Sequence, residues 1–274
     1  MREPFLSIET HRADATDAPG DALDRLRRGD LGAIVLRDVF DPDCLARLPA
    51  ELAINTPGFV RTEFPPAFHA YFYGINLNLA DPDLTPYFAA EPAFRRSLAG
   101  LDVGGVPAEQ RICDLLSRLD RDRPYAPAPG PAPGQRHFFT TIRAHRTGGY
   151  IPAHFDNEAA ARPTYRHVAA LCEPGIYSFV LCIDPAEAGG ALEVFNVTSR
   201  EAAQAFRNRD HAGHKRDLAS VEKVAIRLEA GEMVLLHSSR YLHGVSPVEG
   251  TRTRWTMCSF MALSRNSLRG YCWG

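Results

Sequence analysis

The stretch His154-Phe155-Asp156 places an imidazole and a carboxylate two positions apart. On a β-strand, residues i and i+2 point to the same face, so the two side chains can converge on one ion. The pair alone is weak evidence, because an exposed polar turn explains it equally well. A metal site would need a third ligand from a distant part of the chain.

His243 is the candidate for this third ligand. It lies 89 residues after His154 (243 − 154), in the segment GEMVLLHSSRYLHGVSPVEGTRTRW. Strands that are distant in sequence become neighbours in a jelly roll, so this separation fits a shared site. Two histidines and one carboxylate on one side of a metal form the facial triad of non-heme Fe(II) oxygenases, which leaves the other face open.

Two arginines, Arg252 and Arg254, follow the last of these histidines. They are two positions apart, which predicts that they share one face of the final strand of this region. A buried guanidinium there would bind a carboxylate in a bidentate manner. A solvated surface position is the usual alternative for each arginine taken alone.

Strand patterns dominate the part of the chain that carries these residues. Short apolar or alternating segments are separated by turns such as AGG and EAGE. One helical insert, TSREAAQAFRNRD, interrupts them, and its Thr198 and Glu201 have the spacing of a capping box. Many short strands with few helices predict a barrel or a double-sheet jelly roll. The predicted strands are 137–145, 176–184, 191–197, 221–228, 232–237 and 252–263.

The remainder of the chain has a mixed pattern. Residues 1–122 alternate between helical and extended segments, including the apolar strand GAIVLRDVF at 32–40. Residues 123–135, RPYAPAPGPAPGQ, contain five prolines and two glycines, which predicts a surface loop or linker. We expect the N-terminal part to pack on a strand-rich core at 136–274 as a single folded unit.

The composition argues against several classes of function. The chain has 31 basic and 33 acidic residues and a net charge of −2, which gives no general affinity for nucleic acid or for an anionic membrane. The six cysteines include no CxxC pair and indicate buried thiols in a reducing compartment. There is no signal-peptide pattern and no apolar run of membrane-spanning length, so we expect a cytoplasmic protein.

Taken together, GGYIPAHFDNE, GGALEVF and LHGVSPVEGTRTRW resemble the Fe(II)- and 2-oxoglutarate-dependent dioxygenases, in the branch similar to prolyl 4-hydroxylases. The resemblance covers residues 137–263, about half of the chain. It implies a mainly β protein with flanking helices and a double-stranded β-helix core of the jelly-roll, cupin-like type.

The resemblance also implies specific ligands. His154, Asp156 and His243 correspond to the iron ligands of the family. An arginine nine to eleven residues after the last histidine binds the distal carboxylate of 2-oxoglutarate in the family, and both Arg252 and Arg254 fall in this range. Spacing from the glycine turn favours Arg252, and the longer spacing common elsewhere in the superfamily favours Arg254.

Other residues near the motif have open roles. Arg143 stands on the strand where prolyl hydroxylases often carry a tyrosine, and it either contacts 2-oxoglutarate or a substrate carboxylate, or faces solvent. Tyr150, Asn157 and Glu158 flank the motif and are candidate substrate contacts. Members of the superfamily that halogenate have a small residue at the position of Asp156, so its carboxylate favours hydroxylation or a related oxidation.

The resemblance thus implies an enzyme that uses Fe(II), 2-oxoglutarate and O2 to hydroxylate an unactivated C–H bond, releasing succinate and CO2. From the compact size we expect a small polar metabolite as substrate, such as an amino acid or a natural-product intermediate, and no nucleic-acid partner. Two alternatives stay open: a cupin-like metalloenzyme that does not use 2-oxoglutarate, and a non-enzymatic jelly-roll binding protein.

Overall fold

The computed structural model describes residues 4–14, 19–101, 103–157, 162–202 and 218–274. The strands in these ranges are Ile8–Arg12 (β1), Ala33–Arg37 (β2), Arg61–Glu63 (β3), Ala70–Tyr73 (β4), Tyr125–Pro127 (β5), Thr141–His145 (β6), Ile151–His154 (β7), Tyr177–Asp184 (β8), Ala188–Gly189 (β9), Leu192–Thr198 (β10), Lys223–Ile226 (β11), Met233–Leu236 (β12), Tyr241–Val245 (β13), Val248–Glu249 (β14), Arg254–Leu263 (β15) and Gly270–Trp273 (β16). The α-helices are Ala22–Arg28 (α1), Pro42–Leu45 (α2), Leu48–Ala53 (α3), Thr85–Gly100 (α4), Ala108–Arg118 (α5) and Arg166–Leu171 (α6).

The core consists of two antiparallel four-stranded layers. The strands β12, β8, β15 and β6 form the middle of the larger sheet, and β11, β10, β13 and β7 form the smaller sheet. Cys182 and Val234 of the larger sheet lie in one buried cluster with Leu192, Val194 and Ile226 of the smaller sheet, so the two inner faces pack together. This arrangement confirms the predicted double-stranded β-helix.

Strands from the N-terminal part extend the larger sheet at both edges. The parallel pair β1 and β2 joins β12, and the pair β3 and β4 joins β6. Phe94 of α4 and Ile112 of α5 share a buried cluster with Trp255 and Met257 of β15. Helices therefore cover the outer face of this sheet, and the inner face remains for the site. The domain division at residues 122 and 136 stays a prediction.

The proline-rich segment differs from the surface loop that its composition predicts. Its residues Tyr125–Pro127 form β5, which pairs in parallel with β16 at the margin of the sheet, where a missing N–H is tolerated. Tyr125 and Ala128 are buried, so the segment contributes to the core.

The predicted capping box is present. The Thr198 N–H donates to the Glu201 carboxylate over 2.8 Å, and the Glu201 N–H donates to the Thr198 hydroxyl over 3.3 Å. The rest of the predicted insert, 203–210, lies outside the described residues. Across the part of the chain that the structure describes, no helix has the length and apolar character needed to cross a membrane.

A buried carboxylate ties α1 to the core. Asp120 is fully buried, and its carboxylate accepts hydrogen bonds from the Arg27 guanidinium and, over 2.8 Å, from the Tyr125 hydroxyl. Breaking such a pair leaves an uncompensated buried charge, which typically costs about 3 to 5 kcal/mol.

We therefore expect Asp120→Asn to lower the free energy of unfolding by about 3 to 5 kcal/mol in denaturant titrations. The matched control is Asp30→Asn, which removes an exposed pair with Arg28 and should cost about 1 kcal/mol or less. Equal losses in the two variants would contradict a structural role for the buried carboxylate.

Candidate metal centre

The predicted triad comes together where β7 meets β13. These strands pair in antiparallel fashion with His154 opposite His243, and the centroids of the two imidazole rings are 4.5 Å apart. Asp156 follows just after β7 ends. Its Oδ1 lies 3.3 Å from His154 Nε2, and its Oδ2 lies 3.8 Å from His243 Nε2. One ligand atom from each residue falls within 4.8 Å of the others, so all three can reach one ion.

Backbone carbonyls orient both imidazoles. His154 Nδ1 lies 2.8 Å from the carbonyl oxygen of Pro152, and His243 Nδ1 lies 3.0 Å from that of Tyr241. A carbonyl only accepts, so each Nδ1 carries the proton and donates it. The lone pair on each Nε2 then faces Asp156, which is the tautomer and orientation that a metal-binding histidine requires.

The electrostatics hold the carboxylate in its charged form. Burial alone would raise the pKa of Asp156, but the neighbouring His243 and His154 outweigh it and lower the pKa to about 2. Burial lowers the pKa of His243 to about 4, which keeps this ring neutral at pH 7. Burial opposes the charged form of His154, and the hydrogen bond and charge of Asp156 raise its pKa overall.

These residues fit an iron ion. The Oδ2 atom of Asp156 is buried and has no hydrogen-bond partner among the described residues, which is costly for a carboxylate oxygen unless a ligand satisfies it. Two imidazole nitrogens and one carboxylate oxygen, all on one side, are the donor set of the non-heme Fe(II) facial triad.

The triad lies in a cavity of about 280 Å³ between the two sheets. This size, at the small end of ligand pockets, fits small molecules. Apolar side chains dominate its lining, and four of its aromatic residues come from the part of the chain before β7. We name these four the aromatic wall: Phe64, Phe68, Phe72 and Tyr150.

The two arginines after His243 have different environments. Arg252 precedes β15, its side chain is 52% exposed, and it forms an ion pair with Asp184 over 3.7 Å. The prediction that it shares a strand face with Arg254 is therefore wrong, because the strand begins only at Arg254. Arg254 is 6% exposed and lies on the same face of β15 as Cys258 and Phe260, both of which line the metal cavity.

Arg254 is a buried charge without a partner. No described carboxylate forms an ion pair with it, and burial lowers its pKa. Its guanidinium lines a neighbouring cavity with Cys182 and Arg227, next to the Cys258 thiol rather than beside the triad itself. A buried guanidinium of this kind is a site for an anion.

Arg143 lies in the metal cavity itself. It projects from β6, with its guanidinium carbon 4.8 Å from the Phe72 ring centroid and 6.0 Å from that of Phe260. These distances permit cation–π contacts. Like Arg254, it has no ion-pair partner among the described carboxylates.

His145 is a buried histidine opposite Arg254 that the sequence motif did not reveal. It is buried two positions after Arg143 on β6, and neither of its ring nitrogens has a partner among the described residues. Burial, together with the charges of Arg254 and Arg143, holds its pKa well below the usual value, so the ring is neutral. The alternation along β6 was the only available signal.

Of the three residues predicted to contact substrate, the structure places one in the cavity. Tyr150 lines the cavity, Asn157 is exposed and does not, and Glu158 lies outside the described residues. Asn76 and Asn78 also line the cavity, and they come from the N-terminal part of the chain. No local pattern identifies these two asparagines or the three phenylalanines of the aromatic wall, because only the tertiary fold brings them to the metal cavity.

Comparisons with known proteins identify a family and a similar fold. The profile of a family described as "Carrier-protein-independent halogenase WelO5" matches residues 4–274. The fold is similar to that of an N-substituted L-amino acid dioxygenase from Burkholderia ambifaria AMMD, with a TM-score of 0.56, 15% identity, and coverage of 91% of this chain and 90% of that one. The complex of that dioxygenase with α-ketoglutarate (2-oxoglutarate) gives the same TM-score and coverages at 16% identity. No curated protein matches the sequence.

We expect the protein to bind about one Fe(II) per chain in anaerobic calorimetric titrations. Replacing Asp156 with alanine removes a direct ligand and should weaken iron binding by at least about 100-fold. Loss of a residue that only hydrogen-bonds to a metal ligand already weakens metal binding by up to about 100-fold. Asp184→Ala, which removes a carboxylate outside the triad, should bind iron as the wild type does. Equal affinities in both variants would show that iron binds elsewhere.

Proposed function

The chain belongs to the family of the carrier-protein-independent halogenase WelO5, within the Fe(II)- and 2-oxoglutarate-dependent oxygenases, and we propose that it hydroxylates an unactivated C–H bond of a small metabolite. In such enzymes the bound iron, 2-oxoglutarate and O2 supply an oxidation that converts the cosubstrate to succinate and CO2. The protein supplies the ligands, the orientation of both small molecules and the exclusion of water.

The observation that carries hydroxylation over halogenation is Asp156. A halogenating site needs a position at the metal for a halide, and a small residue in place of the carboxylate leaves it free. Here the carboxylate is charged, is buried and lies within reach of both histidines, so it fills that position. The three positions that remain are those needed by a chelating cosubstrate and O2.

Arg254 is our candidate for the distal carboxylate of 2-oxoglutarate. Its charge is buried in the barrel without a protein partner, and the Cys258 thiol beside it lines the metal cavity. A dicarboxylate with one end at the triad would place its other end toward this guanidinium. The neutral His145, on the neighbouring strand opposite Arg254, is positioned to donate a further hydrogen bond.

This arrangement disfavours the two alternatives. A cupin-like metalloenzyme without 2-oxoglutarate would leave the buried guanidinium of Arg254 with no described counter-charge. Its cost would be similar to that of breaking a buried ion pair, about 3 to 5 kcal/mol. A binding protein without catalytic activity has no need of a charged carboxylate and two oriented imidazoles in one cavity.

The first prediction concerns 2-oxoglutarate binding to the Fe(II)-loaded protein under anaerobic conditions. We expect Arg254→Gln to raise the dissociation constant by roughly 10- to 100-fold, the value of a charge-assisted hydrogen bond. Arg252→Gln removes only an exposed pair and should change it by about fivefold or less. A larger effect of Arg252→Gln than of Arg254→Gln would show that Arg252, and not Arg254, binds the distal carboxylate.

The second prediction concerns the reaction itself. In a screen of small molecules with Fe(II), 2-oxoglutarate and chloride, we expect turnover to be detected as succinate release. Mass spectrometry under ¹⁸O2 should then find products that carry one labelled oxygen atom and no chlorine. Chlorinated products from the wild-type enzyme would refute hydroxylation and would assign a halogenase activity despite Asp156.

A further inference from the structure

The charges of the loaded site leave one guanidinium without a counter-charge. This count of charges rests on the proposed function. Fe(II) and Arg254 together bring three positive charges. Asp156 and the 2-oxoglutarate dianion together bring three negative charges, so these four groups balance. Arg143 lies in the same cavity and adds one further positive charge that no described carboxylate neutralises. An unpaired charge in a largely apolar cavity is unfavourable unless a ligand supplies its partner.

Arg143 lies against the aromatic wall of the cavity. Its guanidinium contacts Phe72, which belongs to the aromatic wall, and β4 places Phe72 directly opposite Arg143 in the sheet. Arg162 is the other arginine of the cavity lining, but it is exposed and donates to the Asn78 carbonyl oxygen, so solvent compensates its charge.

The aromatic wall forms a continuous apolar surface beside this charge. The ring centroids of Phe64 and Phe72 are 4.3 Å apart, those of Phe64 and Phe68 are 5.8 Å apart, and those of Phe68 and Tyr150 are 5.4 Å apart. Tilted and edge-on rings of this kind favour a flat apolar or aromatic group. A small, uniformly polar substrate would leave this surface without a matching partner.

We propose that the substrate is an amphiphilic anion. An acidic group, a carboxylate in the simplest case, binds the Arg143 guanidinium, and an apolar body of about ring size lies against the aromatic wall. Arg143 is thus a specificity-determining residue for the substrate and is distinct from Arg254, which serves the cosubstrate. This narrows the expected small polar metabolite to one with a single charged end.

The test is an anaerobic calorimetric titration of the Fe(II)-loaded protein saturated with 2-oxoglutarate. The probes are 3-phenylpropanoate, its neutral amide 3-phenylpropanamide, and propanoate, which lacks the ring. We expect the aromatic acid to bind at least about tenfold more tightly than either of the other probes. The affinity should be the same at two saturating concentrations of 2-oxoglutarate, since the acid and the cosubstrate occupy different places.

Two variants locate the effect. Arg143→Gln should reduce the affinity for the acid to that for the amide and leave 2-oxoglutarate binding within about fivefold of the wild type. Arg162→Gln is the matched control and should keep the preference for the acid. The comparison of probes in the wild-type protein needs no variant, so it stands even if a variant fails to fold.

Several outcomes would overturn the proposal. Equal affinities for acid and amide, binding of neither, or a preference that survives in Arg143→Gln would each refute an anion site at this residue. Failure of the iron-loaded protein to bind 2-oxoglutarate would instead refute the proposed function, and the charge count with it. The two failures are therefore distinguishable in one series of titrations.

Discussion

The antiparallel pairing of β7 with β13 is the constraint on which the site depends. It sets His154 opposite His243 although 89 residues (243 − 154) separate them in the sequence. A shift of one residue in this register would turn one imidazole to the other face of the sheet, and the three ligands could then no longer reach one ion. The carbonyls of Pro152 and Tyr241 then hold each Nδ1, so that both Nε2 atoms face Asp156.

The interior of the barrel is charged where a folded protein is normally apolar. Arg254, the Oδ2 atom of Asp156 and both nitrogens of His145 are buried without described partners. Each lowers the stability of the ligand-free protein, and a buried network that is only partly satisfied is unfavourable on its own. These groups become paired once a cation and carboxylates are bound, so the site is built for ligands at the expense of stability.

The sequence predicted those parts of the site that local patterns encode. The triad and the jelly roll followed from a two-residue repeat, a distant histidine and many short strands. The choice between Arg252 and Arg254 did not follow, because the start of β15 decides which arginine is buried. The three phenylalanines of the aromatic wall were also missed, since β4 and the segments before it reach the metal cavity only through tertiary packing, whereas Tyr150 was predicted from its place beside the motif. The prolines of residues 123–135 predicted a loop or linker instead of β5, because a strand at the margin of a sheet tolerates proline.

The most direct test of the central claim is the anaerobic visible spectrum of the protein with Fe(II), with and without 2-oxoglutarate. A chelated 2-oxo acid on iron held by two histidines and one carboxylate should give a weak charge-transfer band that needs both components. The band should be lost or altered in Asp156→Ala. A band that is unchanged in this variant, or no band despite confirmed iron binding, would contradict the assignment of the site.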